Sequence, residues 1–239
     1  MDRSKPRRTA AIHCLDHPVW HSLNHGWSDL AIGNQDARRI DPHYGPFGAT
    51  ADGDDTGRAA MAAIAPDDDE LWLVGPDAHV PPPGLVVTRT AMLAQMVAAG
   101  MTPAATAPPD WTVLDATDEA DMLDLALLTR PGPFRSRTGR LGRFIGVRDG
   151  GVLVAMAGER MRMPGFTEVS GVCTHPDWRG RGLAGALMRI VCQAMLDRGD
   201  TPFLHAYAAH DKTIALYRTL GFDVRAQLPM MVLTRPTPD

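Results

Sequence analysis

Between Val172 and Ala184 the chain reads V-C-T-H-P-D-W-R-G-R-G-L-A, and it runs on into G-A-L-M-R-I-V-C-Q-A-M-L. An apolar, β-rich stretch, a turn with two glycines and two arginines, and a helical run follow one another without a linker. The first N–H groups of a helix lack intrahelical acceptors, and the aligned peptide dipoles add partial positive charge where they point. A phosphate or pyrophosphate is therefore the natural occupant of Arg179, Gly180, Arg181, Gly182, Leu183 and Ala184. Gly180 and Gly182 have no Cβ to block phosphate oxygens and take backbone angles that other residues resist. Taken alone, the same residues also read as a tight Arg-capped strand-to-helix turn. The pattern carries no P-loop lysine and is not GxGxxG, so it supports neither a nucleotide triphosphatase nor a Rossmann dehydrogenase.

Other reactive side chains give weaker signals. His13, His17, His21 and His25 recur every four residues, but Pro18 breaks the helix that would align them, and no carboxylate or cysteine completes a tetrahedron. No metal is expected. The segment reads instead as a helix packing Trp20, Leu23 and Trp27. Cys14, Cys173 and Cys192 are odd in number and lack metal-ligand spacing, and no secretory leader pattern is seen, which reads as a reduced, cytoplasmic protein. Cys173 is expected to be a buried, inert thiol.

The elements that must position the turn follow from periodicity and punctuation. A chain of 239 residues with 44% hydrophobic residues can bury a core without staples. Its formal charge of −4 gives no footprint for nucleic acid or an anionic membrane, and Arg3, Lys5, Arg7 and Arg8 read as a frayed basic tail. No apolar run approaches the roughly 20 residues that span a bilayer. The Ala/Pro/Thr run from Thr102 to Pro109 is the expected boundary between an N-terminal α/β region, 1–108, and a second domain, 109–239. Before it, helices are expected over 18–30, 56–65 and 92–99, strands over 70–74 and 85–88, and irregular chain over 41–55. After it come a short strand at 111–114, a helix capped by Asp115 or Thr117, and strands over 143–147 and 152–157 joined across Arg148-Asp149-Gly150-Gly151. A strand over 167–173 then leads into the turn. A helix to Asp197, a strand at 203–206, a helix over 211–220 and a strand pair over 222–233 complete the pattern. The fold class is α/β with a mixed sheet.

Arg179, Gly182 and Ala184 resemble motif A of the GNAT N-acetyltransferase superfamily: Arg or Gln, two residues, Gly, one residue, then Gly or Ala. Downstream, Ile214-Ala215-Leu216-Tyr217-Arg218-Thr219-Leu220-Gly221-Phe222 resembles that superfamily's closing helix with its LYxxLGF ending. The resemblance covers about Trp111 to Arg235 and is nearest the subgroup in which the strand reads like E-x-S-G-V-x-T-H-P, here Glu168 to Pro176. It implies an acetyl-CoA-dependent N-acetyltransferase working by direct attack of a primary amine, without a covalent intermediate. The N-terminal region would then be a degenerate second copy of the fold. In the resembled fold the strand ending at Thr174 and the strand near Phe203 splay, so a pantetheine arm pairs with Val172, Cys173 and Thr174 while the pyrophosphate rests on the turn. An amine of pKa roughly 10 needs a base, for which Glu168 is the candidate, its pKa raised by partial burial. Tyr217 is the candidate acid for the departing thiolate, although a Tyr beside Leu216 and Leu220 can also be core. The oxyanion would take backbone donors near Val172 and Cys173. His210 stands where the family has a pantetheine-binding Asn. Arg130, Arg135, Arg137, Arg140 and Arg143 crowd a loop that the resemblance places beside the acceptor, where they would meet an acidic acceptor, meet the coenzyme's phosphates or solvate a surface. The expected partner is a small-molecule or peptide amine, with no nucleic acid or membrane and a homodimer left open. The rival reading is a non-catalytic acyl-CoA sensor or partner-binding module.

Overall fold

The computed structural model describes residues 13–104 and 109–236. The basic tail and most of the expected boundary segment lie outside the described residues. Eleven strands form one mixed sheet: β1 (Ala31–Gly33), β2 (Ala37–Ile40), β3 (Phe47–Thr50), β4 (Leu71–Val74), β5 (Val86–Val97), β6 (Thr112–Leu114), β7 (Phe144–Asp149), β8 (Val152–Met163), β9 (Phe166–Thr174), β10 (Thr201–Tyr207) and β11 (Asp223–Thr234). Five α-helices accompany them: α1 (Pro18–Leu23), α2 (Asp55–Ile64), α3 (Glu119–Thr129), α4 (Leu183–Asp197) and α5 (Asp211–Leu220). The strand order is β1-β2-β3-β4-β11-β5-β10-β9-β8-β7-β6. The α/β class with a mixed sheet expected from the sequence is the one observed.

Alternation along the strands divides the core. On β10, Phe203 packs with Val19, Leu23 and Trp27 of the α1 segment, while the adjacent Leu204 packs with Leu187, Met188 and Val191 of α4 on the other face. The helix α4 earns its place by spacing, since Leu187, Met188, Val191, Cys192 and Met195 fall on one stripe and are all buried. Two crossovers have the same form. β3–α2–β4 and β9–α4–β10 are each parallel strand pairs joined through a helix. On either side of the central β11–β5 pair, β4 lies against β11 and β10 against β5. Hydrogen bonding of the sheet therefore crosses from residues before the Pro-rich stretch to residues after it.

Several expectations needed correction. The strand at 85–88 and helix at 92–99 are one strand, β5, because its helix-prone Ala, Met, Leu and Gln residues are held between β11 and β10. The helix expected to reach Leu30 stops at Leu23: Gly26 donates to the Arg162 carbonyl at 3.1 Å, and a Cβ there would meet Arg162 at 2.7 Å. β3 lies inside the stretch read as irregular, and β1 and β2 were not anticipated. The final strand pair is the single strand β11, with an irregularity between Val224 and Ala226. The β7–β8 hairpin turns through Gly150 and Gly151, both at positive φ as a two-residue turn of this hand requires.

Gly158 on β8 lies under the ring of Phe144, and a Cβ would come within 2.3 Å of it. Gly158→Ala should lower the free energy of urea unfolding by about 1–3 kcal/mol, the usual cost of overpacking. An unchanged midpoint would contradict this packing.

Candidate active site

The site begins where two neighbouring parallel strands stop pairing. β9 and β10 are in register from Thr201/Phe166 to Phe203/Glu168 and separate beyond that point. β9 also leaves its other neighbour briefly. Between the Met156/Cys173 and Gly158/Ser170 pairs it carries one extra residue, a bulge at Gly171, whose φ is +62°. A Cβ on Gly171 would lie 2.7 Å from the Phe144 ring. The splay expected from the resemblance is present, and it opens onto two cavities that share Pro131, Val172 and Tyr217 in their walls.

The larger cavity, about 590 Å³, runs along Val172, Cys173 and Thr174 to the start of α4. Arg179, Gly180, Gly182, Leu183 and Ala184 line it. Gly180 and Gly182 are both at φ +77°, so the turn depends on residues without a Cβ. Gly182 caps α4 with no side-chain hydrogen bond, which leaves the first N–H groups of the helix to an external acceptor. The Thr174 hydroxyl is buried without a partner. Unpaired donors at a 15-residue helix, two left-handed glycines and an orphaned hydroxyl fit a phosphorylated, amide-bearing ligand. Arg181 turns away, donating to the Asp177 carbonyl at 3.4 Å with its guanidinium 5.8 Å from the Trp178 ring centroid. Arg189 also lines the cavity and was not singled out from the sequence.

The smaller cavity, about 280 Å³, lies on the other side of the gap. Phe47, Trp72, Val74 and Leu93 reach it from the N-terminal region, and Arg160, His205, Tyr207 and Met230 complete much of its wall. His210 lines this cavity and not the larger one. It caps α5 without a side-chain hydrogen bond, its ring 5.2 Å from that of Tyr207.

Glu168 overturns the expectation of a raised pKa. It is wholly buried, and burial alone would raise its pKa. The charge of Arg160, with hydrogen bonds from Arg160 and His205, outweighs burial and holds the carboxyl at about 2. Arg160 donates through Nε at 2.7 Å and Nη2 at 2.8 Å, a bidentate fork. His205 Nδ1 lies 2.8 Å from the same carboxylate. The tautomer of His205 follows from its neighbours. Gln95 Oε1 accepts from Arg225 at 2.8 Å, so the Gln95 amide nitrogen faces the Leu15 carbonyl at 2.8 Å and His205 Nε2 at 3.2 Å. Nε2 therefore accepts, and Nδ1 carries the proton given to Glu168.

Tyr217 borders both cavities, and burial raises its pKa above the usual phenol range. Burial also pushes Cys173 up to about 11, leaving a protonated, unreactive thiol. Of the five loop arginines, Arg130 is the one that lines either of these two cavities. Arg135 pairs with Asp69 at 2.6 Å, Arg140 with Glu119, and Arg143 lies over the Trp111 ring. In the histidine series, His17 is buried and bonded to Asp77 at 2.6 Å. Among the described residues no group of three or more His, Cys, Asp or Glu side chains is arranged to hold a metal ion, and no helix is long and apolar enough to cross a membrane.

Comparison with known proteins agrees with this geometry. The model of the FR47-like protein family matches residues 144–229. Over 84 residues, 33% of this chain and 51% of the relative, the chain is 38% identical to the N-alpha-acetyltransferase RimI of Mycobacterium tuberculosis. Over 62 residues, 26% of this chain and 20% of the relative, it is 39% identical to a mycothiol acetyltransferase of Corynebacterium aurimucosum. The chain thus spans about half the length of one of these curated relatives and a fifth of the other. A solved GCN5-related N-acetyltransferase from Kribbella flavida shares the fold at 18% identity, with a TM-score of 0.63 over 95% of this chain and 98% of that one. A solved protein of the GNAT family from Novosphingobium aromaticivorans is 48% identical, with a TM-score of 0.86 over 94% of this chain and all of that one. On that identity and coverage, with the splayed strands and glycine turn that the fold provides, this chain belongs to the GNAT family of acetyltransferases.

Proposed function

We propose that the chain transfers an acetyl group from acetyl-CoA directly to a primary amine, the coenzyme lying in the larger cavity and the amine in the smaller. The observation that carries this reading is the meeting of the two cavities at Pro131, Val172 and Tyr217. Acetyl-CoA would bring the activated thioester. Val172 to Thr174 offer main-chain groups to its pantetheine arm, and Arg179, Gly180 and Gly182 to Ala184 hold its diphosphate at the α4 N-terminus. Arg181, turned away from the cavity, contributes positive charge at a distance. Calorimetry should show coenzyme A binding, weakened at least about tenfold in Gly182→Val, because a β-branched residue resists φ +77°. No binding by folded wild-type protein would overturn the reading.

The acid is Tyr217. Its raised pKa keeps the phenol protonated, as a proton donor to a thiolate must be. In the transfer the amine nitrogen bonds the acetyl carbon as the C–S bond breaks, and the sulfur takes its proton from Tyr217. Tyr217→Phe should lower kcat by about 100-fold in a thiol-release assay with little change in coenzyme affinity. Equal rates would remove the role.

The base reading moves from Glu168 to His210. A carboxylate with pKa about 2, both oxygens engaged, has little tendency to take a proton from an amine. His205 has its accepting nitrogen occupied by Gln95. His210 faces the acceptor cavity with no cap bond to break, and it takes the amine's proton. Glu168 becomes a positioning residue that holds Arg160 and His205. His210→Asn restores the family's residue. If His210 only contacts pantetheine, kcat stays near wild type; as the base, its loss should lower kcat by about 100-fold. Glu168→Gln should retain measurable activity. It should also be about 3–5 kcal/mol less stable at neutral pH, having left Arg160 buried and unpaired. Because the folded pKa of Glu168 lies below its ordinary 4.5, the stability it confers is complete above that pH and fades as pH falls toward 2. Denaturation at pH 7 and pH 3 should therefore show the gap between wild type and variant narrowing.

The two regions we read as two copies of one helix–three strands–helix–strand unit, the second with an added strand β6 before it and helix α5 after it, and each gives its last strand to the other: β5 lies against β10, and β11 against β4. Only the second copy has an anion site. In the first, the corresponding turn is Ala51-Asp52-Gly53-Asp54-Asp55, and Asp54 caps α2 itself, accepting from Gly57 at 2.7 Å. Three free thiols, two of them buried, suit a reducing cytoplasm.

A further inference from the structure

Among the described residues the acceptor cavity has no Asp or Glu in its wall. Of the nearby carboxylates, Asp211 beside His210 is exposed and lies outside the wall, and three others are engaged elsewhere. Glu168 is closed by Arg160 and His205, Glu70 accepts from the Trp72 indole at 2.8 Å, and Asp69 holds Arg135 at 2.6 Å. An amine-recognising pocket without a carboxylate is a specific device. Acceptors with several ammonium groups would enter it with nothing to balance their charge, and the desolvation of each is costly.

The charges that do face the cavity are two arginines. Arg160 is neutralised by its fork with Glu168. Arg130 is not. It ends α3 at φ 51°, ψ 58°, the one non-glycine in the left-handed region among the described residues. An L-residue there costs roughly 1–2 kcal/mol, which glycine would avoid. Its side chain is exposed at the cavity edge, and no carboxylate among the described residues lies within ion-pair distance of it. Strain kept at an unpaired cation beside a binding cavity points to a ligand that uses the cation.

The rest of the wall sets the apolar and aromatic side chains of Phe47, Trp72, Val74, Leu93, Met161 and Met230 beside the polar Ser170, Tyr207 and Thr213. At about 280 Å³ the space is nearly twice the roughly 150 Å³ cavity known to hold benzene, room for one ring and a short chain. Resting on the transferase reading above, we propose that the acceptor is a small monoamine with an aromatic-sized apolar body and a carboxylate. The body lodges among Phe47, Trp72 and Met230, and the carboxylate meets Arg130.

Three acceptors separate the contributions at saturating acetyl-CoA: L-phenylalanine, phenethylamine, which lacks the carboxylate, and spermidine, which is polycationic. Thiol release should give kcat/KM in that descending order. Arg130→Gln should lower kcat/KM for L-phenylalanine by about fivefold, the measure of an exposed ion pair, and leave phenethylamine within about twofold. Trp72→Ala should lower both. Arg130→Gly removes the backbone strain, so it should melt no lower than wild type and still lose the preference for the carboxylate. Three outcomes would overturn the proposal: spermidine used as well as L-phenylalanine, Arg130→Gln acting equally on both aromatic amines, or neither aromatic amine accepted. Calorimetry with coenzyme A keeps the two readings apart. Binding together with the wrong acceptor order sinks this proposal alone, whereas no binding sinks the transferase reading beneath it.

Discussion

The carboxylate of Glu168 sits at the vertex from which the site opens. Its residue pairs with Phe203 in the last register that β9 and β10 share. From there its side chain reaches back to Arg160 on β8 and across to His205 on β10, so three adjacent strands are tied at the point where the sheet parts. Burying these charges costs several kcal/mol per ion, recovered only when the geometry satisfies every oxygen. A trio of apolar side chains could match that stability. It would lack the directional bonds that fix where the strands diverge, and the width of the gap decides whether two ligands can meet in it.

Two irregularities in the β8–β9 ladder follow from this tie. Past the vertex β9 carries the extra residue at Gly171, while β8 carries one between the Glu159/Val169 and Arg162/Thr167 pairs, at Arg160 and Met161. The second brings Arg160 and Met161 to the acceptor wall; the first takes the chain before Val172 out of the ladder just where the two cavities join. The network also extends outward. Gln95 on β5 links His205 to Arg225 on β11, and Arg225 reaches Asp16 at 2.6 Å. The N-terminal region thus orients the imidazole as well as walling the cavity.

What could be read in advance was local. The glycine turn, α4, α5 and the β7–β8 hairpin each rest on neighbours within a few residues, as does the placing of Tyr217 near the end of its helix. What escaped was set by partners far away in sequence. β5 is a strand because β10 and β11 flank it more than a hundred residues later, against the helical preference of its own residues. Glu168 looked like a carboxyl raised by burial because its two partners, 8 and 37 residues distant, leave no mark on the local pattern. The acceptor wall draws on Phe47, Trp72 and Leu93, which the sequence alone places in irregular chain, a strand and an expected helix with no link to the site.

The two cavities differ in how they treat charge, and in the proposed reaction that difference would order events at their junction. The larger ends in unpaired helix N–H groups and arginines, a field that draws in a polyanion although the chain as a whole carries −4. The smaller has Arg160 internally balanced and, among the described residues, no carboxylate in its wall to hold an ammonium ion. An amine gains by entering it only as its proton leaves, since the neutral form loses far less solvation. Deprotonation and binding would thereby be linked in one step, with the imidazole at the α5 N-terminus, the proposed base, on the same wall. Tyr217, two helical turns further along the same helix, borders both cavities and is the proposed donor of the opposite proton. On the proposed mechanism one short helix would therefore carry both ends of the proton traffic, His210 at its start and Tyr217 where the two cavities meet.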